Sequence, residues 1–521
     1  MADTASTYDE LPYSDRAFVQ AHPDRLAVVG VLHGLSPAPV DRAAVLELGC
    51  GLGGNLIPMA AAMPEARLLG IDLSARQIDE GRRLIEQLGL TNVELRRQDL
   101  MDLGGDDGPF DYIICHGVYS WVPPPVQERI LSICRDGLAD NGLATISYNV
   151  YPGWHLSGAV RDILRYGARG TEGPAEQVSR AVAFLQFVAR SVFDSESPYG
   201  RAVRAAAESL AEENPTYVFH EYLESCNSPV RFEQFVDRAG QAGLRYVGDA
   251  GLADPSSQLT DEARDLLTSF ADDLVRCEQT LDLLRHRTFR RDVLCRNALA
   301  PSRWPRPEAL ENMLLVALAE PVPPSPPPAA DAVEQFRNAK GQTLSTAEPA
   351  LKAALHHLHR ARPLGAAYAD LLANVRASTA AVDEADLARS LLACATASLV
   401  ELHTYLPPIA ARPGARPRAT PAARRQAATG KIVVNLRHRS LQLDALSRAV
   451  LALLDGQRDR PALAEMLRKR LDTGELTLDG DGGQAAARQD APRIVDEVLT
   501  ALAGLCLLTA PHGRLDHPSR E

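Results

Sequence analysis

No two of the eight cysteines, at positions 50, 115, 134, 226, 277, 295, 394 and 506, stand at C-x-x-C spacing. A disulfide frame or zinc site needs paired thiols, so scattered reduced cysteines acting as small hydrophobes are expected, and nothing calls for a metal. Long apolar runs are missing too: VLTALAGLCLLTA near the C-terminus stops short of the ~20 residues that span a bilayer. The opening MADTASTYDELPYSD has neither the basic region nor the apolar core of a secretory signal, so a soluble cytoplasmic protein without membrane insertion is the expectation. Excess basic charge is also absent, with 67 acidic against 55 basic side chains and a formal net charge of -12. That balance gives no overall attraction to nucleic acid or anionic lipid and suits a cationic or weakly charged partner better.

What is present is a chain with 45% apolar residues over 521 positions, too long for one core and suited to roughly two to four domains. Residues 23–33 read as a helix: Pro23 fits the first turn, and Leu26, Val29 and Leu32 recur at helical spacing. The polar segment before it, with Tyr8, Tyr13 and Phe18, reads either as a short lid or as ordinary surface packing. From Ala44 onward VLELG, RLLGIDLS, NVELRRQDL, FDYIICHGV and GLATISYNV read as strands, with helices at LIPMAAAM, 75–88 and 126–138. Repeated strand–helix units require crossovers, which favour an α/β, Rossmann-like parallel sheet with helices on both faces.

Residues 155–300 read mainly as helices. Dense proline in AEPVPPSPPPAA (319–330) reads as an extended break, and the basic stretch YLPPIAARPGARPRATPAARRQAATG as an interdomain linker. The resulting division is a domain over 1–155 with an N-terminal lid, a helical substrate-entrance or regulatory domain over 156–318, a helical segment over 331–406, and a winged-helix-like unit over 430–521. Such a unit also serves as a packing module, so it does not imply DNA binding.

The chemistry concentrates after the first three strands. In ELGCGLGGN, running from Glu47 to Asn55 through Cys50, glycines 49, 51 and 53 allow a tight turn in which backbone approaches a ligand. A dinucleotide would use a similar turn. Glu47 argues against a pyrophosphate there and for a cationic sulfonium with an amino acid tail. Asp72, followed by Leu73 in GIDLS, stands where a carboxylate can accept both ribose hydroxyl protons. Asp99, followed by Leu100 in RQDL, stands where it can meet an adenine amino group. A helix cap explains either acid alone; two such acids after successive strands are harder to explain that way.

ELGCGLGGN, GIDLS and RRQDL closely resemble the cofactor motifs of class I S-adenosylmethionine-dependent methyltransferases. The resemblance implies S-adenosyl-L-methionine as cofactor, lying along Gly49–Gly53 with its ribose at Asp72 and its adenine at Asp99. YDELPYSDRAFVQAHPDRLA, HGVYSWVP, YNVYPGWH, VFHEYLESCNSPVRFEQFVDRAGQAGL and LDLLRHRTFRRDVLCR extend it to bacterial methyltransferases carrying a methyltransferase regulatory domain. Members of that group include protein-lysine methyltransferases acting on rickettsial outer-membrane proteins. A weaker match covers 435–460. It implies middle helices that shape the substrate entrance and a terminal unit used for protein binding or homodimer packing.

Two aromatic clusters are candidates for the transfer site. His116, Tyr119 and Trp121 follow the fourth strand, where their faces could border a sulfonium and the acceptor; core packing and a satisfied hydrogen bond are the alternatives. Tyr148, Asn149, Tyr151, Trp154 and His155 follow the fifth, as an acceptor wall or as a packed turn. Tyr119 and Tyr148 are the expected positioning groups, and no general base is assigned. His220, Glu221 and Glu224 are candidates for contacting a basic acceptor, against solvated charge on a helix. The leading acceptor is a protein or peptide lysine. A small-molecule or peptide N- or O-methyltransferase is the enzyme alternative, and a cofactor-sensing scaffold without turnover is the alternative of another class.

Overall fold

The computed structural model describes residues 9–11, 16–105, 107–252, 259–323, 332–379, 381–477 and 490–510. The expected strands form as β1 (Ala44–Leu48), β2 (Arg67–Asp72), β3 (Val93–Arg97), β4 (Phe110–Cys115) and β5 (Leu138–Asn149), all mutually parallel in the order β3-β2-β1-β4-β5. Helix α1 (Pro23–Leu32) precedes them, and α2 (Leu56–Ala62), α3 (Ala75–Leu88) and α4 (Pro124–Gly137) lie among them. Side chains alternate between the sheet faces. Val45, Leu68, Tyr112 and Ile114 enter one apolar core, while Leu46, Leu69, Ile113 and Cys115 enter the other, as period-two strands buried on both faces require. Helix α3 starts where the Ser74 hydroxyl accepts from Gln77 N at 3.1 Å and stops at Gly89 with φ 64°, a left-handed cap that favours glycine.

The sheet is mixed rather than purely parallel. It has seven strands, extended by β6 (Leu244–Asp249) and β7 (Phe289–Arg296), and β7 runs antiparallel to both β5 and β6. The stretch 155–300 is mainly helical, as its sequence reads, and it also supplies these two strands. Between β5 and β6 lie α5 (Trp154–Gly167), α6 (Pro174–Ser191), α7 (Pro198–Ala211) and α8 (Phe232–Gln241); α9 (Asp261–Ser269) and α10 (Leu274–Leu284) precede β7. Strand β7 escaped the pattern because it buries charges in place of apolar side chains. Arg290 donates to Asp282 at 2.8 Å, to Glu278 at 2.7 Å and to Asp292 at 3.0 Å, pairing that makes burial tolerable.

The segment 331–406, read as helical, also contains strands. Helices α11 (Pro349–Arg360), α12 (Tyr368–Ser378) and α13 (Glu384–Thr396) pack with two three-stranded antiparallel sheets whose strands include Leu314–Ala317, Glu334–Asn338 and Val400–His403. The strands are short, and Val400–His403 carries buried Glu401 and His403, so no alternation marked it. The proline-rich break contributes Ala319–Pro321 to one sheet, while 324–330 lie outside the described residues.

The expected basic linker is also corrected. Its Pro421–Thr429 segment is helix α14, with Ala422, Ala423 and Ala427 buried. It joins a C-terminal unit made of the hairpin Ile432–Val434 and Ser440–Gln442 and helices α15 (Ala445–Leu451), α16 (Arg460–Asp472) and α17 (Ala491–Gly504). That unit docks on the seven-stranded sheet: Ala422, Leu436 and Cys506 belong to the same core as Val45 and Leu68.

Candidate functional site

A cleft runs along the rim formed by the carboxyl ends of the parallel strands, where a doubly wound sheet places its ligands. One end is lined by Asp72, Leu73, Gln98, Asp99, Leu100, Val118, Val122 and Val126. The other is lined by Arg16, Glu47, Cys50, Gly51, Asn55, His116, Asn149, Trp154, Ser157, Tyr217, His220, Glu221, Thr288 and Phe289. Gly49, Asp72, Gly117 and Trp121 belong to both ends, so the two join as one groove.

The glycine loop leaves β1 in a path that side chains would block. Gly49, Gly51 and Gly53 have φ of 74°, 56° and 90°, the left-handed region. A Cβ on Gly49 would lie 2.3 Å from Val118 Cγ2. Asp72, at the end of β2, accepts from Gly51 N at 2.8 Å and Ser74 N at 2.9 Å. Burial raises its pKa, opposed by those backbone donors. Each oxygen keeps a further lone pair for a ligand hydroxyl. Asp99 accepts from Met101 N at 2.9 Å and caps a short turn while lining the cleft, so cap and cleft wall coexist in one residue.

Glu47 is buried on β1 and accepts from Asn55 Nδ2 at 2.8 Å. His116 lies against Phe18, ring centroids 4.1 Å apart, and edge-on to Phe289 at 5.9 Å. Burial drives its pKa down to about 3, with Arg291 adding to the fall, so the ring is neutral. Trp121 meets Trp154 edge-to-face at 6.3 Å. Of the segment read as a lid, Tyr8 and Tyr13 lie outside the described residues. Leu11 O accepts from His220 Nε2 at 2.6 Å, and Asp9 pairs with the Ser74 hydroxyl at 2.5 Å, so this short stretch straps across from β2 to the middle helices.

Tyr119 and Tyr148 do not line the cleft, which corrects their expected positioning role. Tyr119 is fully buried against Phe235 at 5.4 Å and Tyr148 at 6.1 Å. Tyr148 stacks on Phe235 at 4.0 Å, and its hydroxyl donates to Asp292. The cause is periodicity: Tyr148 takes the core face of β5, whereas Asn149 ends the strand at the rim; and Trp121, two residues after Tyr119 in a tight turn, reaches the cleft in its place. Tyr151 and His155 stack on one another at 4.3 Å and do not line the cleft.

The far wall comes from a π-helical turn, Phe219–Leu223. His220 sits between Leu11 O and Glu224, its Nδ1 2.9 Å from the carboxylate, so these two residues hold the turn in place. The Glu221 carboxylate makes no hydrogen bond or ion pair among the described residues, and the residue lines the cleft. Burial raises its pKa to about 7, against the pull of Arg161. Sequence reasoning missed Ser157, Tyr217, Thr288 and Phe289. Thr288 precedes and Phe289 opens an unrecognised strand, and the first two lie on helices where nothing in spacing separates a cleft residue from a surface one.

Comparison with known proteins agrees with this architecture. Residues 45–142 match a methyltransferase domain, residues 214–296 a predicted methyltransferase regulatory domain, and residues 415–507 the family described as PKMT, C-terminal winged helix domain. Uncharacterized protein RP028 of Rickettsia prowazekii is 37% identical over 241 residues, 46% of this chain and 96% of that protein. Uncharacterized protein RP789 of the same organism is 29% identical over 511 residues, 95% of this chain and 91% of that protein. The structure of PKMT2 from Rickettsia typhi in complex with AdoHcy superposes with a TM-score of 0.83 at 25% identity, over 95% of this chain and 100% of that one. Matches along nearly the whole length, on a glycine-loop sheet with both appended units, place the chain among the class I S-adenosylmethionine-dependent methyltransferases that carry a methyltransferase regulatory domain and a PKMT-type winged-helix domain.

Proposed function

We propose that this methyltransferase modifies lysine side chains of a protein or peptide, with the cofactor in the cleft from Asp99 to Glu47 and the acceptor reaching it past Glu221. The observation that carries the reading is the free carboxylate of Glu221 on the wall of the groove that also contains Asp72 and the glycine loop. The likeness to Rickettsia PKMT2 along both chains supports the same class of acceptor.

The residues fit the cofactor. At Gly49 a Cβ would collide with Val118, so the loop passes along the cleft as bare backbone, open to a ligand. Asp72 offers carboxylate acceptors for paired ribose hydroxyls, and Leu100, Val118 and Val122 give the adenine end apolar walls beside Asp99. Arg16 and Glu47 place opposite charges at the other end, matching the carboxylate and ammonium of an amino acid tail. S-adenosylmethionine, when bound, supplies a methyl group on a positively charged sulfur for transfer to a neutral amine.

The chain's own task is alignment and dehydration. A lysine arrives as an ammonium ion and must lose a proton first. Glu221 accepts that proton at its carboxylate, and a raised pKa fits it for exchange near neutral pH. Neutral His116 and the Trp121–Trp154 pair exclude water and face the cation with aromatic surface. A net charge of -12 favours a basic protein segment over nucleic acid. We place the reaction in the cytoplasm. Seven of the eight cysteines are buried, which suits a reducing compartment, and no helix among the described residues is long and apolar enough to cross a membrane.

Incubation with methyl-labelled S-adenosylmethionine and separated protein, peptide and metabolite fractions tests the reading. The expected result is label in protein, recovered as methyl-lysine after hydrolysis. Label confined to small metabolites would replace the acceptor, and binding without any transfer would leave only a cofactor-sensing scaffold.

A further inference from the structure

Asn55 ends the glycine loop, and its buried amide is shared among three partners, two of them from distant parts of the chain. Its Nδ2 donates to Glu47 Oε1 at 2.8 Å. Its Oδ1 accepts from Phe18 N at 3.0 Å and faces His438 Nε2 at 2.7 Å. Because a carboxylate on Glu47 requires a donor, the amide oxygen must point the other way. His438 therefore carries its proton on Nε2 and donates it, and both lone pairs of the amide oxygen are used.

His438 lies 383 residues from Asn55, in the turn of the hairpin between Val434 and Ser440. That turn is rigid. Asn435 Oδ1 accepts from Arg437 N at 3.0 Å and Arg439 N at 2.9 Å, and its Nδ2 donates to Leu505 O at 2.8 Å. Arg439 pairs with Glu401 at 2.7 Å, and Arg437 donates to Pro363 O at 2.9 Å. His438 itself adopts φ 58°, which a side-chain-bearing residue takes up only when its surroundings hold it there. Its ring stands 5.0 Å from that of His22, and burial holds its pKa well below the usual histidine range, with His22 adding to the fall.

We infer that the C-terminal winged-helix unit is part of the cofactor site, with His438 as a positioning residue that sets the Asn55 amide. Through that amide it aims Glu47 into the groove and pins Phe18 against His116. The inference rests on the cofactor reading given above. It assigns the unit a role in methyl-donor affinity that partner binding alone does not require.

Three full-length variants test it by calorimetric titration with S-adenosylhomocysteine and by steady-state kinetics. His438→Gln keeps an N–H donor where Nε2 stands, whereas His438→Ala removes it and His438→Asn ends one atom short. Alanine and asparagine should weaken binding roughly tenfold, the loss of one buried hydrogen bond, and raise KM for the donor with little change in kcat. Glutamine should bind within about twofold of the parent. Should the alanine variant fail to fold, asparagine against glutamine makes the same comparison between two polar side chains. Equal binding by parent and asparagine variant would overturn the inference, as would a glutamine variant as weak as asparagine, since packing would then be the cause. A parent protein that binds no S-adenosylhomocysteine would instead sink the cofactor reading beneath it.

Discussion

At the end of the cleft proposed for ribose and adenine every lining residue comes from one stretch, Gly49 to Val126; at the Glu221 end the lining runs from Arg16 to Phe289. The first wall is made of loops that immediately follow successive strands, so its geometry is fixed as soon as the strands pair. The second wall needs the middle helices docked, β7 inserted and the N-terminal strap laid over them. On the proposed reading, the contrast teaches that recognition of the donor's ribose and adenine is written locally, whereas the seating of its amino acid tail and the selection of the acceptor are products of tertiary packing. It also predicts that substitutions at the two ends separate kinetically.

The largest separation is expected at Asp72. Asp72→Ala removes the charged acceptors for two hydroxyls, a loss of about 4 kcal/mol or roughly a thousandfold in S-adenosylhomocysteine affinity by calorimetry. KM for a lysine peptide should stay near the parent value. If donor and acceptor constants rose together, the two walls would be one energetic unit and the division would fail.

Glu221→Gln should do the converse, lowering kcat/KM for a lysine peptide about a hundredfold while S-adenosylhomocysteine binds as before. Burial places Glu221 at about 7, opposed by the Arg161 guanidinium, and His220 and Tyr222 are its adjacent titratable neighbours. Only the ionised carboxylate accepts a proton. The parent rate should therefore climb as pH rises through about 7, and that limb should be absent from the profile of the glutamine variant. A pH limb that survives the substitution would move the proton acceptor elsewhere.

The smallest effect sharpens the boundary between the walls and the core behind them. Tyr148→Phe deprives buried Asp292 of a hydroxyl donor and should cost about 1–2 kcal/mol in denaturant unfolding, with kcat and both KM values unchanged. A fall in kcat without loss of stability would return Tyr148 to the transfer site.

What could be read from the residues follows the same boundary. The strand–loop–helix order, and the placing of the three glycines, Asp72 and Asp99 at the strand ends along the cleft, were legible because each depends on a few neighbours in sequence. Tyr119 and Tyr148 misled, since a hydroxylated aromatic after a strand looks alike whether it faces the rim or the core; a shift of one residue along β5 decides which. Strand β7 was hidden because Arg290 and Asp292 satisfy each other inside the protein, and charge in a sequence gives no sign of such pairing. Alanines in Pro421–Thr429 passed for linker because a helix packed closely between α2 and the C-terminal unit uses small side chains. The Asn55–His438 contact had no sequence signal at all, being a meeting of two loops from opposite ends of the chain.

The reversed direction of β7 has an evolutionary corollary. Every parallel strand presents its outgoing loop at the working rim, but this one presents its incoming connection, with Thr288 and Phe289 at the groove. Lengthening or rewriting that connection between α10 and β7 would alter which targets are admitted without disturbing a single donor-binding motif. A lineage could thus diversify its clients by editing one hinge of chain while its donor machinery is inherited intact.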